Sequence, residues 1–232
     1  MLQHIRLIIF DLDYLVYDCA KVKIQALRQS LISMADEIPE DVRLPDAVDA
    51  EEGYLAHGLQ WIDHVEIGLS QDALEQLQPA YRIHEKRFVE SGAGRIHPGI
   101  EELIGLCRQW NVKTALGAEA SRDYLMAVTD SHQLDNLFYN MLCTEEFGSG
   151  STDEMLEELM YLAEVHPSET LVLGTRSDCF QKARNMDLLT IGCGWGIHRH
   201  EGLAEADFQS MALGQLYSAI EAADQLAVQK SE

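Results

Sequence analysis

The stretch that most constrains this chain is Ile5-Arg6-Leu7-Ile8-Ile9-Phe10-Asp11-Leu12-Asp13. An almost unbroken apolar run of this length, rich in Ile, is the pattern of a strand buried on both faces in a parallel sheet. It stops abruptly at two carboxylates spaced i, i+2. Open α/β sheets bind their ligands just beyond the carboxyl ends of such strands, so Asp11 and Asp13 stand where chemistry is usually done.

The period then changes. From Cys19 to Ser91 apolar residues recur at helical spacing: Val22, Ile24, Leu27, Leu31 and Ile32, then Tyr54, Leu55, Leu59, Trp61 and Ile62, then Leu74, Leu77, Tyr81 and Phe88. A polar segment from Asp36 to Pro45 breaks this block once, and Ser91-Gly92-Ala93-Gly94 closes it. From His97 onward helices and short strands alternate. Helices are predicted from Pro98 to Trp110, Ser121 to His132, Asp178 to Met186 and Met211 to Val228. Another is opened by Ser151-Thr152-Asp153-Glu154, which has the form of a capping box. Strands are predicted from Val112 to Leu116, near Tyr139 to Cys143, from Thr170 to Leu173 and from Leu189 to Cys193. The alternation implies βαβ units with right-handed crossovers and hence an α/β fold. Residues 1–17 and 92–232 are expected to form the core domain, with 18–91 as a helical cap inserted in it.

Charge narrows the partners. With 39 acidic against 17 basic residues, a net charge of −22 repels nucleic acid, anionic membranes and phosphorylated small molecules at long range, so a phosphate ligand needs a local cation. Cys19, Cys107, Cys143, Cys179 and Cys193 are scattered without a C-x-x-C pair, which argues for reduced thiols. No leader-like apolar region and no run near the membrane-spanning length of about 18 residues is present. A cytoplasmic protein with neither nucleic-acid nor membrane partner is expected.

The strand and its two carboxylates resemble the first motif of the haloacid dehalogenase (HAD) superfamily, an apolar strand followed by D-x-D-G-T-L. Tyr14 and Leu15 stand where the Gly and Thr usually follow. His97-Pro98-Gly99-Ile100-Glu101-Glu102-Leu103 is similar to the family's approach to its second motif. Ala183 to Leu188 and Ile191 to Gly196 are similar to its later scaffold segments. A helical cap between the first two motifs resembles the phosphoglycolate phosphatase and β-phosphoglucomutase-like branch. The resemblance implies a HAD-like, Rossmann-type parallel sheet with an inserted helical cap, Asp11 as nucleophile and Asp13 as general acid/base.

The same resemblance implies losses elsewhere. The second motif's phosphate-binding Ser or Thr aligns with Ala118, whose methyl cannot donate; Thr114 and Ser121 are the nearest hydroxyls. The third motif's Lys aligns with Ser149, and no Lys lies between Lys113 and Lys182. Without that cation, like charges 4 Å apart repel by about 4 kcal/mol at an effective dielectric near 20. The two acidic metal-binding positions of the fourth motif carry Thr175 and Cys179, which serve Mg²⁺ poorly. A metal would lean on Asp11, the carbonyl of Asp13 and a displaced carboxylate such as Asp178, although Asp178 also reads as a helix N-cap. Arg176 either supplies a fixed charge for an anion or is an ordinary surface or Asp-paired arginine.

Arg176, Ala118 and Ser149 are therefore the substrate-binding candidates, and Asp11 and Asp13 the catalytic ones. The leading expectation is a catalytically impaired pseudophosphatase that binds a small phosphorylated ligand or a protein partner. The alternative is an active Mg²⁺-dependent phosphatase of a small phosphate ester. A dehalogenase, which needs no metal, is a third reading that retention of Asp13 fits less well. The pairs Glu51-Glu52, Glu145-Glu146 and Glu157-Glu158 read as solvated faces, His198 and His200 as a polar loop, and Tyr54, Trp61 and Tyr81 as packing.

Overall fold

Six parallel strands carry the fold: β1 (Leu7–Asp11), β2 (Lys113–Ala118), β3 (Asn140–Cys143), β4 (Thr170–Gly174), β5 (Leu189–Cys193) and β6 (Phe208–Ser210). The computed structural model describes residues 2–34, 71–148, 150–195 and 200–231. Their order across the sheet is β3-β2-β1-β4-β5-β6. Strand order reverses beside β1, and this topological switch point is where doubly wound sheets open a ligand crevice.

Seven helices are used below: α1 (Ala20–Ser33), α2 (Gln71–Glu90), α3 (Ile100–Gln109), α4 (Arg122–His132), α5 (Thr152–Ala163), α6 (Ser177–Asn185) and α7 (Leu213–Ser231). Leu7 and Ile9 of β1 pack with Met155, Leu156 and Leu159 of α5. Ile8 and Phe10 point the other way, into a cluster holding Ile104 of α3, Val128 of α4 and Ile220 of α7. Helices on both faces leave no solvated side, which is why β1 reads as a continuous apolar run rather than an alternating one. Each such fully buried side chain contributes roughly 1.5–3 kcal/mol.

The strands lie close to where the sequence puts them, and the differences have local causes. β2 continues two residues past Leu116 because Gly117 can pair with Asp11 while a Cβ there would meet Met155 Cε at 2.9 Å. β6 contributes a single large apolar residue, Phe208, too little to register as a strand pattern. Ser151 caps α5 through the Asp153 and Glu154 amides at 3.2 and 3.4 Å. Asp178 does not cap α6: the cap position is Arg176, and Asp178 sits in the first turn with its carboxylate drawn to the arginine side chain.

Helices α1 and α2 pack on each other, burying Lys23, Ala26, Leu27 and Ser30 on one and Leu77, Tyr81, Glu85 and Val89 on the other. The expected stripe from Tyr54 to Ile62, the Asp36 to Pro45 break, and Glu51 and Glu52 lie outside the described residues. Tyr17–Asp18 and Arg95–Ile96 pair as a short antiparallel ribbon where the chain passes between the sheet and these helices. At two residues each they are too short for alternation to show. Gly94 is required beside them, because a Cβ would collide with the Tyr17 ring. Among the described residues no helix is long and apolar enough to cross a membrane.

Candidate active site

Beyond Asp11 the chain closes a tight turn. The Tyr14 amide donates to Tyr17 O at 2.9 Å, and the Val16 and Tyr17 amides both donate to Leu12 O at 3.0 and 2.9 Å. Tyr14 takes φ 61°, a left-handed conformation that costs an L-residue about 1–2 kcal/mol. Burial of its whole side chain offsets that strain. The backbone course a glycine would give is thus kept with an aromatic ring in its place. The turn sends Asp13, 2% exposed, away from the sheet and toward α1 and α4.

There Asp13 meets a buried polar network. Its Oδ2 lies 2.8 Å from Lys23 Nζ of α1, and its Oδ1 accepts from the Tyr124 hydroxyl of α4 at 2.7 Å. Lys23 Nζ is also 3.4 Å from Glu85 Oε1 of α2, which accepts from Tyr81 at 2.8 Å. Burial alone would lower the Lys23 pKa, but the facing carboxyls of Asp13 and Glu85 hold it well above the ordinary lysine value. Burial, reinforced by Asp13, raises that of Glu85 despite Lys23 and Tyr81. Lys23 is therefore the cation, Asp13 its nearest counter-ion, and Glu85 the carboxyl pushed toward its neutral form. Burial and the nearby Asp13 also raise the Tyr124 phenol, which keeps it a donor.

Glu85 makes stability depend on pH with a definite sign. Its folded pKa lies above the reference value of 4.5, so the folded state keeps a proton that the unfolded chain has released. Stability then falls as pH rises from 4.5 through the folded value. Glu85→Gln keeps an acceptor for Tyr81 and Lys23 without titrating. Its melting temperature is expected to match the wild type near pH 4 and to exceed it increasingly as the pH is raised. Parallel melting curves for the two proteins from pH 4 to 8 would count against a neutral Glu85.

A second network surrounds Asp11. Glu119, directly after β2, accepts from Thr152 Oγ1 at 2.6 Å and pairs with Arg176 Nη1 at 2.8 Å. Arg176, 4% exposed, also grips Asp178 through two nitrogens, with Nε to Oδ1 at 3.0 Å. Such a bidentate contact is among the stronger charge-assisted arrangements. Lys182 Nζ lies 3.5 Å from Glu119 and 2.9 Å from Thr152 Oγ1. Although burial works the other way, Arg176 and Lys182 hold the Asp178 carboxyl below the ordinary range. Asp11, half-buried, has its pKa raised well above the usual carboxylate value by burial, then by Asp13 and Glu119, with Arg176 offsetting part of this. Burial, with Asp11 adding to it, also raises the Cys179 and Cys193 thiols.

The expected site residues are thus only partly gathered. Asp11 faces the Glu119–Arg176 network, Asp13 the helices, and Asp178 the arginine. Ala118 is the buried last residue of β2, and Ser149 lies outside the described residues. Thr114 donates to Leu137 O at 3.3 Å, and Ser121 caps α4 by accepting from the Tyr124 amide. Arg176 is neither a solvent-facing residue nor an unopposed charge. Glu145 and Glu146 are more than a solvated face: Glu145 pairs with Arg82 at 2.6 Å, and Glu146 accepts from the Cys143 amide at 2.9 Å. His200 is exposed, and His198 lies outside the described residues.

Sequence reasoning missed Glu119, Lys23, Glu85 and Tyr124. Glu119 had a signal, since it too directly follows the end of a buried strand. Lys23 had another, standing on the buried stripe of α1 with Ala26, Leu27 and Ser30.

The residues present do not suit Mg²⁺. Both oxygens of the Asp178 carboxylate are committed to Arg176, and that guanidinium also stands beside Asp11. The cavity lined by Asp11, Gly117, Glu119, Arg176 and Cys179 has a volume of about 20 Å³. That is room for roughly one water, against an octahedral ion that retains several.

Comparison with known proteins agrees with the fold. A family model described as haloacid dehalogenase-like hydrolase matches residues 8–193. No curated protein matches the sequence. Among solved structures, a haloacid dehalogenase-like family hydrolase from Streptococcus pneumoniae is 15% identical with a TM-score of 0.79, over 93% of this chain and 98% of that one. A predicted phosphoglycolate phosphatase from Haemophilus somnus is 13% identical with a TM-score of 0.75, over 94% and 99%. CbbY from Rhodobacter sphaeroides, solved in complex with phosphate, is 17% identical with a TM-score of 0.73, over 91% and 96%.

Proposed function

The chain belongs to the haloacid dehalogenase-like hydrolase family, and on that premise we propose that it is a catalytically impaired member, a pseudophosphatase whose role is binding. The observation that carries this reading is the enclosure of Asp13. A general acid must reach the leaving oxygen of its substrate. Here the carboxyl in that position is 2% exposed and bonded to Lys23 and Tyr124 at 2.8 and 2.7 Å.

The surroundings of Asp11 point the same way. A carboxyl attacks phosphorus as the carboxylate, and burial with neighbouring Asp13 and Glu119 favours the protonated form. The cavity beside it is small, about 20 Å³ among the described residues. The cation nearest Asp11, Arg176, is already opposed by Glu119 and Asp178. We read residues 18–91 as the cap, and a small phosphorylated ligand or a protein as the partner. Five free cysteines, four of them buried, fit a reducing cytoplasmic setting.

The test is hydrolysis of a panel of phosphate esters with and without Mg²⁺, comparing the wild type with Asp11→Asn purified in parallel. The expected result is the same background rate in both proteins. Mg²⁺-dependent turnover that disappears in Asp11→Asn would overturn the proposal and establish the alternative, an active phosphatase.

A further inference from the structure

At the end of the sheet opposite Asp11 lies a cavity of about 520 Å³, within the size range of small-molecule sites. Its floor is made by the amino ends of four adjacent strands. Arg6 directly precedes β1, Lys113 opens β2, Tyr139 directly precedes β3 and Glu169 directly precedes β4. Backbone bonds fix them together: the Lys113 amide to Arg6 O and the Arg6 amide to Glu169 O, both at 2.8 Å, and the Tyr139 amide to Thr114 O at 2.7 Å. Five residues of extended chain from Arg6 to Asp11 put the two ends about 16 Å apart.

We propose that this cavity binds an organic phosphomonoester carrying a flat ring, of the nucleoside monophosphate class. Arg6, Arg108 and Lys113 hold the phosphate, and Tyr139 carries the ring. In a chain with 17 basic against 39 acidic residues, convergence of these cations on one cavity runs against the overall charge.

How they are held matters more than their number. Arg6 Nη2 donates to Gln3 O at 3.1 Å, Arg108 Nη2 to Leu137 O at 2.9 Å and Lys113 Nζ to Ala163 O at 2.6 Å. A backbone carbonyl orients a cation without cancelling its charge, and each of those bonds engages one nitrogen of a group with several N–H donors. Among the described residues no carboxylate is ion-paired with any of the three, whereas Lys23 and Arg176 each face two carboxyl groups. Glu164 and Glu169 line the same cavity, and the Glu169 carboxylate accepts from the His166 amide at 3.0 Å. The cavity therefore keeps a local positive excess.

The ring side has its own determinant. Tyr139 is 56% exposed, and Lys113 Nζ sits 4.8 Å from its ring centroid. That cation–π contact sets the phenol against the ammonium. A base stacked on the exposed part of the phenol would carry its phosphate beside Lys113. Leu137 and Val165 supply the apolar wall.

The test is isothermal titration calorimetry of the full chain at low salt with 5′-AMP, adenosine and inorganic phosphate. Saturable binding of AMP at one site is expected, with adenosine much weaker. Arg108→Gln and Lys113→Gln should each weaken AMP roughly tenfold, the worth of one charge-assisted hydrogen bond. Arg6→Gln should act in the same direction, and its exposed side chain makes it a variant that folds. Tyr139→Ala should weaken AMP while leaving phosphate unchanged, and Asp11→Asn at the other end of the sheet should change neither. Absence of saturable AMP binding, indifference to the Arg and Lys substitutions, or loss of binding in Asp11→Asn would each overturn the proposal. Carried out without Mg²⁺, these readouts do not depend on whether the chain hydrolyses phosphate esters.

Discussion

Lys23→Met is expected to destabilise the protein by about 3–5 kcal/mol, the usual cost of removing one partner from a buried charge pair. At this chain length that is a fall in melting temperature of roughly 6–20 °C. The lysine is 3% exposed and is the cation shared by Asp13 and Glu85. Methionine fills much of its volume but leaves both carboxyls facing each other without it. The double variant Lys23→Met with Asp13→Asn should recover part of the loss, because only Glu85, whose charged form burial already disfavours, then lacks its partner. Urea denaturation of the two single variants and the double gives the coupling directly. A cost below about 1 kcal/mol for Lys23→Met would mean that Asp13 is reached by solvent, since exposed pairs contribute no more than that. That outcome would also remove the main support for an enclosed acid/base group.

The distinction between what could and could not be read from the chain follows the range of the interactions. β1, the helix–strand alternation and the Ser151 cap are written locally, in apolar runs and in a hydroxyl a few residues from the amides it meets. Thr175 and Cys179 could likewise be set against the family pattern, because each departure shows at its own position. The polar network around Asp13 could not. Lys23, Glu85 and Tyr124 come from three helices and meet only when those helices pack, with Lys23 and Glu85 separated by 62 positions in sequence. The misreading of Asp178 has the same origin. Its spacing fits an N-cap, and Arg176, a residue the local pattern leaves in a loop, takes its carboxylate instead.

The second large effect is expected at Arg176, and it separates the two ends of the Asp11 network by sign. Arg176→Met should cost about 3 kcal/mol, because it leaves Glu119 and Asp178 beside an already disfavoured Asp11. Lys182, 3.5 Å from Glu119 and partly exposed, replaces only some of the lost charge. Asp11→Asn should do the opposite. The folded pKa of Asp11 lies above its reference value of 3.8, so the stability linked to it is present at low pH and lost as pH rises through the folded value. Asparagine does not titrate, and the variant should melt higher than the wild type at neutral pH. Measured together, the two variants assign the site's charges: an arginine that the fold needs and a carboxyl that it tolerates. Were Asp11→Asn instead the less stable protein at neutral pH, the carboxylate would be a working partner of Arg176, and an anion-free, purely structural account of this cleft would fail.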